Sequence, residues 1–368
     1  NGTSENDSIT NSGNYVTING GLGDDTIQGG NYRIIKYASG DGNDIITDYN
    51  SNDTILNISN TIAIVDDNQM YSYGDDAFSM YEKAPDNIEV SFPISSGVIA
   101  DFDNMQTMLF KILESDLGAR LKNADIIVAV PTDITEVEKK AFQDLFIKSK
   151  TRVRNIRLCE KPIADALGIG LDVTEPTGVM VVDIGADTTE ISVVSLGGIV
   201  QTQLLEFGGN LLDESIVTHL RRKFNLLIGM KTAKQLKENI GAAKEGKDLK
   251  AKIVGRNVVS GLPTEFEVES DEVFAGIKAD LSNICGAVKR SLEKVPPELA
   301  KDIVHSGIYL TGGGANLADL ADFFNEETGI KVNVVDNSSE TVVKGLNLVA
   351  SEDKYKKFGF MMQSRILG

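Results

Sequence analysis

The stretch Val181-Val182-Asp183-Ile184-Gly185-Ala186-Asp187-Thr188-Thr189-Glu190-Ile191 joins an apolar run ending in a carboxylate to a glycine turn, two hydroxyls and a second apolar run. A hairpin of this kind presents backbone N–H groups to an anion, so Asp-x-Gly-x-x-Thr-Thr suits a phosphate tail. Asp183 is placed to hold Mg²⁺ through water, as hard cations beside phosphates usually are. The same letters also describe an ordinary hairpin with a turn-capping Asp. Two further glycine clusters favour the phosphate reading: Gly208-Gly209-Asn210 followed by Asp213-Glu214, and Thr311-Gly312-Gly313-Gly314. Both are placed at strand-to-helix junctions, where glycines also permit tight turns. Three such turns in one α/β unit describe a nucleotide cleft.

The elements that must position these turns alternate along the chain. Thr61 to Val65 reads as a strand, and the spacing of Met105, Met108, Leu109, Ile112 and Leu113 predicts a helix from Asn104 to Leu121. Asp125 to Val130 is a continuous apolar run, hence an interior strand, stopped by Pro131. Glu136 to Lys150 is an amphipathic helix whose Thr135 and Glu138 form a capping box. A short strand from Asn155 to Leu158 precedes a helix from Pro162 to Gly168 that leads to the phosphate hairpin. Further helices are predicted over Glu214 to Phe224, Ala233 to Lys244 and Asp271 to Leu292, and a strand over Gly307 to Leu310. Strands alternating with helices imply a mixed sheet covered on both faces, an α/β fold.

The first sixty residues follow another rule. Ile9, Ile18 and Ile27 fall nine apart, and Gly20-Gly21-Leu22-Gly23-Asp24-Asp25-Thr26-Ile27-Gln28 fits the nonapeptide that coils into a parallel β-roll with Ca²⁺ between turns. Ser39 to Thr47 repeats it with one glycine lost. Asp7, Asp25 and Asp44 would then stack on one edge as Ca²⁺ ligands, while Val16 stands where the intervening unit needs a carboxylate. The segment resembles the RTX-type repeats of secreted bacterial proteins. A Gly/Asn/Asp-rich disordered leader is the competing reading.

Composition narrows the partners. A net charge of -18 disfavours a nucleic-acid groove or an anionic membrane surface, both of which attract Lys and Arg. Cys159 and Cys285 lie in apolar stretches without metal or redox spacing, which suits a reducing compartment. His219 and His305 are too separated for a metal site. No run of about eighteen apolar residues predicts a spanning helix, and no signal peptide is visible. Phe358, Phe360, Met361 and Met362 beside Lys354, Lys356 and Lys357 read as a packing tail, with an amphipathic anchor as the alternative.

From Gly97 to Ala350 the chain resembles the bacterial actin-like MreB/Mbl family. The carrying motifs are Gly97-Val98-Ile99-Ala100-Asp101-Phe102-Asp103, Val128-Ala129-Val130-Pro131-Thr132-Asp133, Glu175-Pro176-Thr177-Gly178 running into the phosphate hairpin, Ser195-Leu196-Gly197-Gly198-Ile199-Val200, Phe224-Asn225-Leu226-Leu227-Ile228-Gly229 and Gly307-Ile308-Tyr309-Leu310-Thr311-Gly312-Gly313-Gly314. The resemblance implies an actin-like (ribonuclease H-like) two-domain ATPase fold: 1–60 a β-roll segment, 61–178 a first domain, 179–350 a second, and 351–368 a tail. It implies ATP and Mg²⁺ as ligands, held by Asp183, Gly185, Ala186, Asp187, Thr188, Thr189, Gly208, Gly209, Gly312, Gly313 and Gly314, with Lys237 and Glu238 toward the adenosine. Self-association into cytoplasmic, membrane-associated filaments, with cell-wall synthesis and shape proteins as partners, is what the resemblance implies for function.

The chain departs from the family at three places. The first phosphate hairpin, Asp-x-Gly-Thr-x-x-Thr, is absent, and the β-roll repeats stand in its place, which makes the first domain N-terminally incomplete. The family's Glu-Glu-Pro, whose second carboxylate orients the attacking water, reads Glu160-Lys161-Pro162. A charged ammonium cannot take the water's proton, and Glu160, shifted by one residue, points about 100° away on a helix. Asp187 at the hairpin tip repels polyphosphate unless a cation intervenes, so Lys161 is expected to pair with Asp187 or with a phosphate, or else to be solvated at the helix start. Weak nucleotide binding and impaired hydrolysis follow. The alternatives are a secreted or surface calcium-binding module fused to an inactive actin-like scaffold, and an active ATPase with a rebuilt phosphate grip.

Overall fold

The structure, a computed structural model, describes residues 58–65, 69–114, 125–146 and 154–362, together with the backbone of five short strands nearer the N-terminus. It divides into two units, residues 1–58 and 59–368. In the first, β1 (Ser8–Thr10), β3 (Thr26–Gln28) and β5 (Ile45–Thr47) pair in parallel, with Ile9 beside Ile27 and Ile27 beside Ile46. The alternate strands β2 (Val16–Asn19) and β4 (Arg33–Lys36) pair with each other, also in parallel. The calcium candidates Asp7, Asp25 and Asp44 lie outside the described residues.

The second unit opens with an antiparallel sheet in which β6 (Ile62–Val65) lies between β7 (Gln69–Tyr73) and β8 (Ile88–Ser91), with α1 (Gly74–Met80) following β7. The small hairpin β9 (Ile94–Ser95) and β10 (Val98–Ile99) leads into α2 (Phe102–Ile112), capped by the Asp101 carboxylate accepting from the Asn104 N–H. The parallel pair β11 (Asp125–Val130) and β12 (Asn155–Glu160) packs against α2 and α3 (Glu136–Asp144) through Leu113, Leu145, Phe146, Val128 and Ile156. The capping box forms as expected: Thr135 Oγ1 accepts from the Glu138 N–H at 3.3 Å, and Glu138 Oε2 accepts from the Thr135 N–H at 2.7 Å. The helix stops at Asp144, before the predicted Lys150.

The main sheet runs β15-β14-β13-β19-β20, from β13 (Val179–Ile184), β14 (Thr189–Ser195), β15 (Gly198–Leu205), β19 (Ile308–Thr311) and β20 (Val332–Val334). It is mixed: β13 is antiparallel to β14 and parallel to β19. Both faces of β13 are buried, so its apolar run is continuous, and strand alternation assigns the residues to two cores. Met180, Val182 and Ile184 pack with α5 (Gly209–Phe224), α6 (Met230–Ile240), α7 (Ser270–Glu293) and α9 (Leu320–Thr328). Val179 and Val181 pack on the other side, with α4 (Lys161–Gly168) and α10 (Thr341–Ser351). The same alternation puts Asp183 on the α4 side, which decides its partner.

Helices α4 and α10 lie backbone to backbone. A Cβ on Gly345 would overlap the Ala164 carbonyl and one on Gly168 the Thr341 carbonyl, so glycine is needed at both positions. A further sheet, β16 (Leu226–Leu227), β17 (Lys250–Asn257) and β18 (Pro263–Glu269), and the helix α8 (Pro297–Ser306) were not anticipated. The alternation of Phe266 and Val268 with Glu265, Glu267 and Glu269 carries the strand signal, one face packing on the core and the other solvated. Helix α5 starts at Gly209, five residues before the expected Glu214.

Candidate functional site

Three glycine turns converge at the carboxyl end of β13. The N–H groups of Gly209 and Asn210, at the start of α5, donate to the carbonyls of Gly185 and Ala186 at 2.9 and 2.8 Å, fastening that helix onto the hairpin. This is why α5 begins at the glycines: its first donors are satisfied by the turn and not by a side-chain cap. Gly208 comes so close that a Cβ would lie 2.5 Å from the Ala186 oxygen. From the other side, Gly312, at φ +78°, would carry a Cβ into Asp183 Oδ1 and the Ile184 carbonyl, and Gly314 would carry one into the Ile184 side chain. These glycines are required by the chain's own packing. Gly313 has neither a positive φ nor any atom within 4 Å of a Cβ, so it faces open space.

The hairpin tip retains donors. Gly185 N–H closes the turn onto the Thr188 carbonyl at 2.8 Å, while the N–H groups of Ala186, Asp187 and Thr188 make no backbone hydrogen bond among the described residues. Three donors remain for an anion. Thr189 has another task than the one expected, since its hydroxyl is buried and donates to the Phe207 carbonyl at 2.7 Å. Asp187 accepts from the Asn210 side-chain amide at 2.6 Å.

Lys161 pairs with neither Asp187 nor open solvent. Its Nζ lies 2.9 Å from Asp183 Oδ2, with 23% of the lysine side chain and 8% of the aspartate side chain exposed. Lys161, Pro162 and Asp165 of α4 meet Asp183, Glu190 and Ser192 of the sheet in a polar seam within the α4 core. Glu190 is buried and accepts from the Thr132 N–H at 2.9 Å, tying the turn after β11 to the hairpin. Asp165 is fully buried and accepts from the Thr311 hydroxyl at 2.5 Å, linking α4 to the third glycine turn. Sequence reasoning missed both acids. Their signal is a carboxylate inside an otherwise apolar stretch, which requires a partner.

One cation therefore faces three carboxylates. Burial alone would depress the Lys161 ammonium, yet Asp183, Glu190 and Asp165 hold its pKa above the ordinary lysine value, so it stays charged. Burial pushes Asp165 up to about 7, and the Asp183 charge adds to this against the hydrogen bond from Thr311 and the Lys161 charge. Burial likewise raises Glu190, opposed by Lys161 and the Thr132 N–H. Glu160, the last residue of β12, is the N-cap of α4 and makes no side-chain cap bond.

Lys237 Nζ is 2.7 Å from Asp213 Oδ1 and donates to the Gly209 carbonyl at 2.6 Å. It thereby anchors the start of α5. Glu238 is well exposed and 3.9 Å from Lys234. Cys159 and Cys285 are buried free thiols, and burial raises each to about 12. His219 Nε2 lies within hydrogen-bond distance of Glu272 Oε2, at 2.9 Å. Among the described residues no helix is long and apolar enough to cross a membrane.

The MreB/Mbl protein family matches residues 40–357. The chain belongs to that family. Cell shape-determining protein MreB of Escherichia coli K12 is 38% identical over 300 residues, 79% of this chain and 86% of the relative. The crystal structure of MreB5 of Spiroplasma citri bound to ADP is 31% identical with a TM-score of 0.77, covering 82% of this chain and 91% of that one. A MamK double helical filament, 20% identical with a TM-score of 0.67 over 80% of this chain and 92% of that one, shares the fold. The actin-like fold is thus established for the second unit. The family match begins at Gly40, inside the stretch that the nonapeptide pattern also covers.

Proposed function

We propose that the chain is an actin-like cytoskeletal protein that binds an adenine nucleotide at the three glycine turns, self-associates into filaments and contributes to cell shape, with little or no ATP hydrolysis. The convergence of Gly185, Gly208 and Gly312 on the end of β13 carries this reading. Beside it, three hairpin N–H groups make no backbone hydrogen bond among the described residues, and a Cβ on Gly313 of the third turn would meet no atom within 4 Å. A relative bound to ADP and another in a filament support nucleotide binding and assembly. The first phosphate hairpin is missing from the sequence, so affinity is expected to fall below that of relatives that have it.

The residues fit a nucleotide better than they fit the family's metal. Asp183, which would hold the cation through water, is engaged by Lys161 at 2.9 Å. The water-orienting carboxylate is replaced by an ammonium whose raised pKa keeps it from accepting a proton. Asp165 and Glu190 each accept one hydrogen bond from the protein and keep a second oxygen, Oδ1 and Oε2, buried without a hydrogen-bond partner, so burial is what would keep them from orienting a water. Hydrolysis at buffer background beside saturable ADP binding is the expected result. Absence of any saturable ADP or ATP binding would overturn the nucleotide reading, and steady ATP turnover would overturn the loss of catalysis.

A second role is proposed for residues 1–58 as a calcium-responsive parallel β-roll. Supporting it, alternate strands pair in parallel into two sets, the arrangement that successive nonapeptides produce. Millimolar Ca²⁺ should protect Gly20 to Thr47 from proteolysis, and Asp25→Ala should remove the effect. Equal protection in chelator would refute it.

A further inference from the structure

We propose that Lys161 is a built-in counter-cation that lets this site take the metal-free form of its nucleotide, so that binding does not depend on Mg²⁺. The inference rests on the nucleotide reading above and adds which form of the ligand is bound. Two independent constraints close the Asp183 carboxylate to a hydrated metal. Oδ2 is held by the Lys161 ammonium at 2.9 Å, and Oδ1 lies against Gly312, where even a Cβ would overlap it. Mg²⁺ demands near-octahedral oxygen ligands and keeps several waters, so it needs one face of that carboxylate open.

The ammonium's position is fixed by the fold. Strand alternation sends Asp183 to the α4 side of β13, and Lys161 is the first residue of α4, followed by Pro162. Glu190 and Asp165 surround the same ammonium and favour its charged form. A divalent ion arriving beside Asp183 would meet the Lys161 ammonium already paired there at 2.9 Å. The lysine thereby occupies, with its own charge, the place beside Asp183 that the metal of a bound polyphosphate would otherwise take. Among the described residues no group of three or more His, Cys, Asp or Glu side chains is arranged to hold a metal ion.

The test is titration calorimetry of the full chain with ADP, once in millimolar Mg²⁺ and once in EDTA. The two dissociation constants should agree within about twofold for the wild type. Lys161→Met, and separately Lys161→Glu, should bind about tenfold or more weakly in EDTA than in Mg²⁺, a difference of about 1.4 kcal/mol. Wild-type binding that requires Mg²⁺ overturns the inference while leaving the nucleotide reading intact. Variants that fold and remain indifferent to Mg²⁺ overturn the role of Lys161. No binding in either buffer overturns the nucleotide reading itself, and this inference with it. The wild-type comparison stands alone if the variants do not fold.

Discussion

Replacing Lys161 by Met keeps the length of the side chain and removes its charge, leaving three carboxylates facing one another. At charge separations near 4 Å and an effective dielectric of about 20, a single pair is worth about 4 kcal/mol, most of it offset in the intact pair by desolvation. Removing one partner forfeits the attraction but not the desolvation, which for buried pairs costs about 3–5 kcal/mol. Lys161 retains 23% exposure, so solvent screening lowers this to about 2–3 kcal/mol. The loss should also depend on pH. Lys161 lowers the pKa of Glu190 and of Asp165, and both already sit above their ordinary values because of burial. Without Lys161 they rise further. A carboxyl raised in the folded state adds stability that is present below its unfolded pKa and lost as pH rises through the folded one. The variant's deficit should therefore be larger at pH 8 than at pH 5. Thermal unfolding followed by circular dichroism should show a midpoint roughly 3–5 °C below wild type at pH 8 and a smaller gap at pH 5. A gap under about 1 °C at pH 8, or one that does not shrink at pH 5, would mean that Lys161 is solvated and the seam is not held by it.

Gly313→Ala should leave the thermal midpoint unchanged but weaken ADP binding, because only a ligand would meet the added methyl, whereas Gly312→Ala should destabilise the fold through its positive φ and its contact with Asp183; equal ADP affinity in folded Gly313→Ala would place the nucleotide elsewhere. Asp165, raised to about 7 from a reference of 3.8, makes the folded state hold a proton that the unfolded state has released, so its contribution to stability declines between about pH 4 and pH 7. Asp165→Asn should flatten that part of the wild-type stability profile, and an unchanged slope would assign it to other groups. Cys159 and Cys285, raised to about 12 by burial, should resist a thiol-reactive dye at pH 8 until the chain is unfolded in denaturant, and rapid labelling of the native protein would contradict their burial.

The sequence by itself carried the fold class and the three glycine turns, because turn residues and the switch between strand and helix periodicity are local properties. Thr135 with Glu138 and the continuous run before Asp183 were readable for the same reason, whereas the run before Pro131 was readable as a strand but not as an interior one, since β11 pairs only with β12 among the described residues. The letters Glu160-Lys161-Pro162 also sufficed to single out Lys161 as a departure from the motif of the family that the chain resembles. Only the tertiary structure decided where the substituted lysine goes. Its partner, Asp183, is twenty-two residues away, and the choice of Asp183 over Asp187 follows from which face of β13 is covered by α4. Asp165 and Glu190 stayed hidden because a buried acid is recognisable only from what surrounds it, and their partners Thr311 and Thr132 are distant in sequence. The glycines divide in the same way. Sequence spacing placed Gly312, Gly313 and Gly314 together, but only the packed backbone separates the two that the fold requires from the one that leaves room for a ligand.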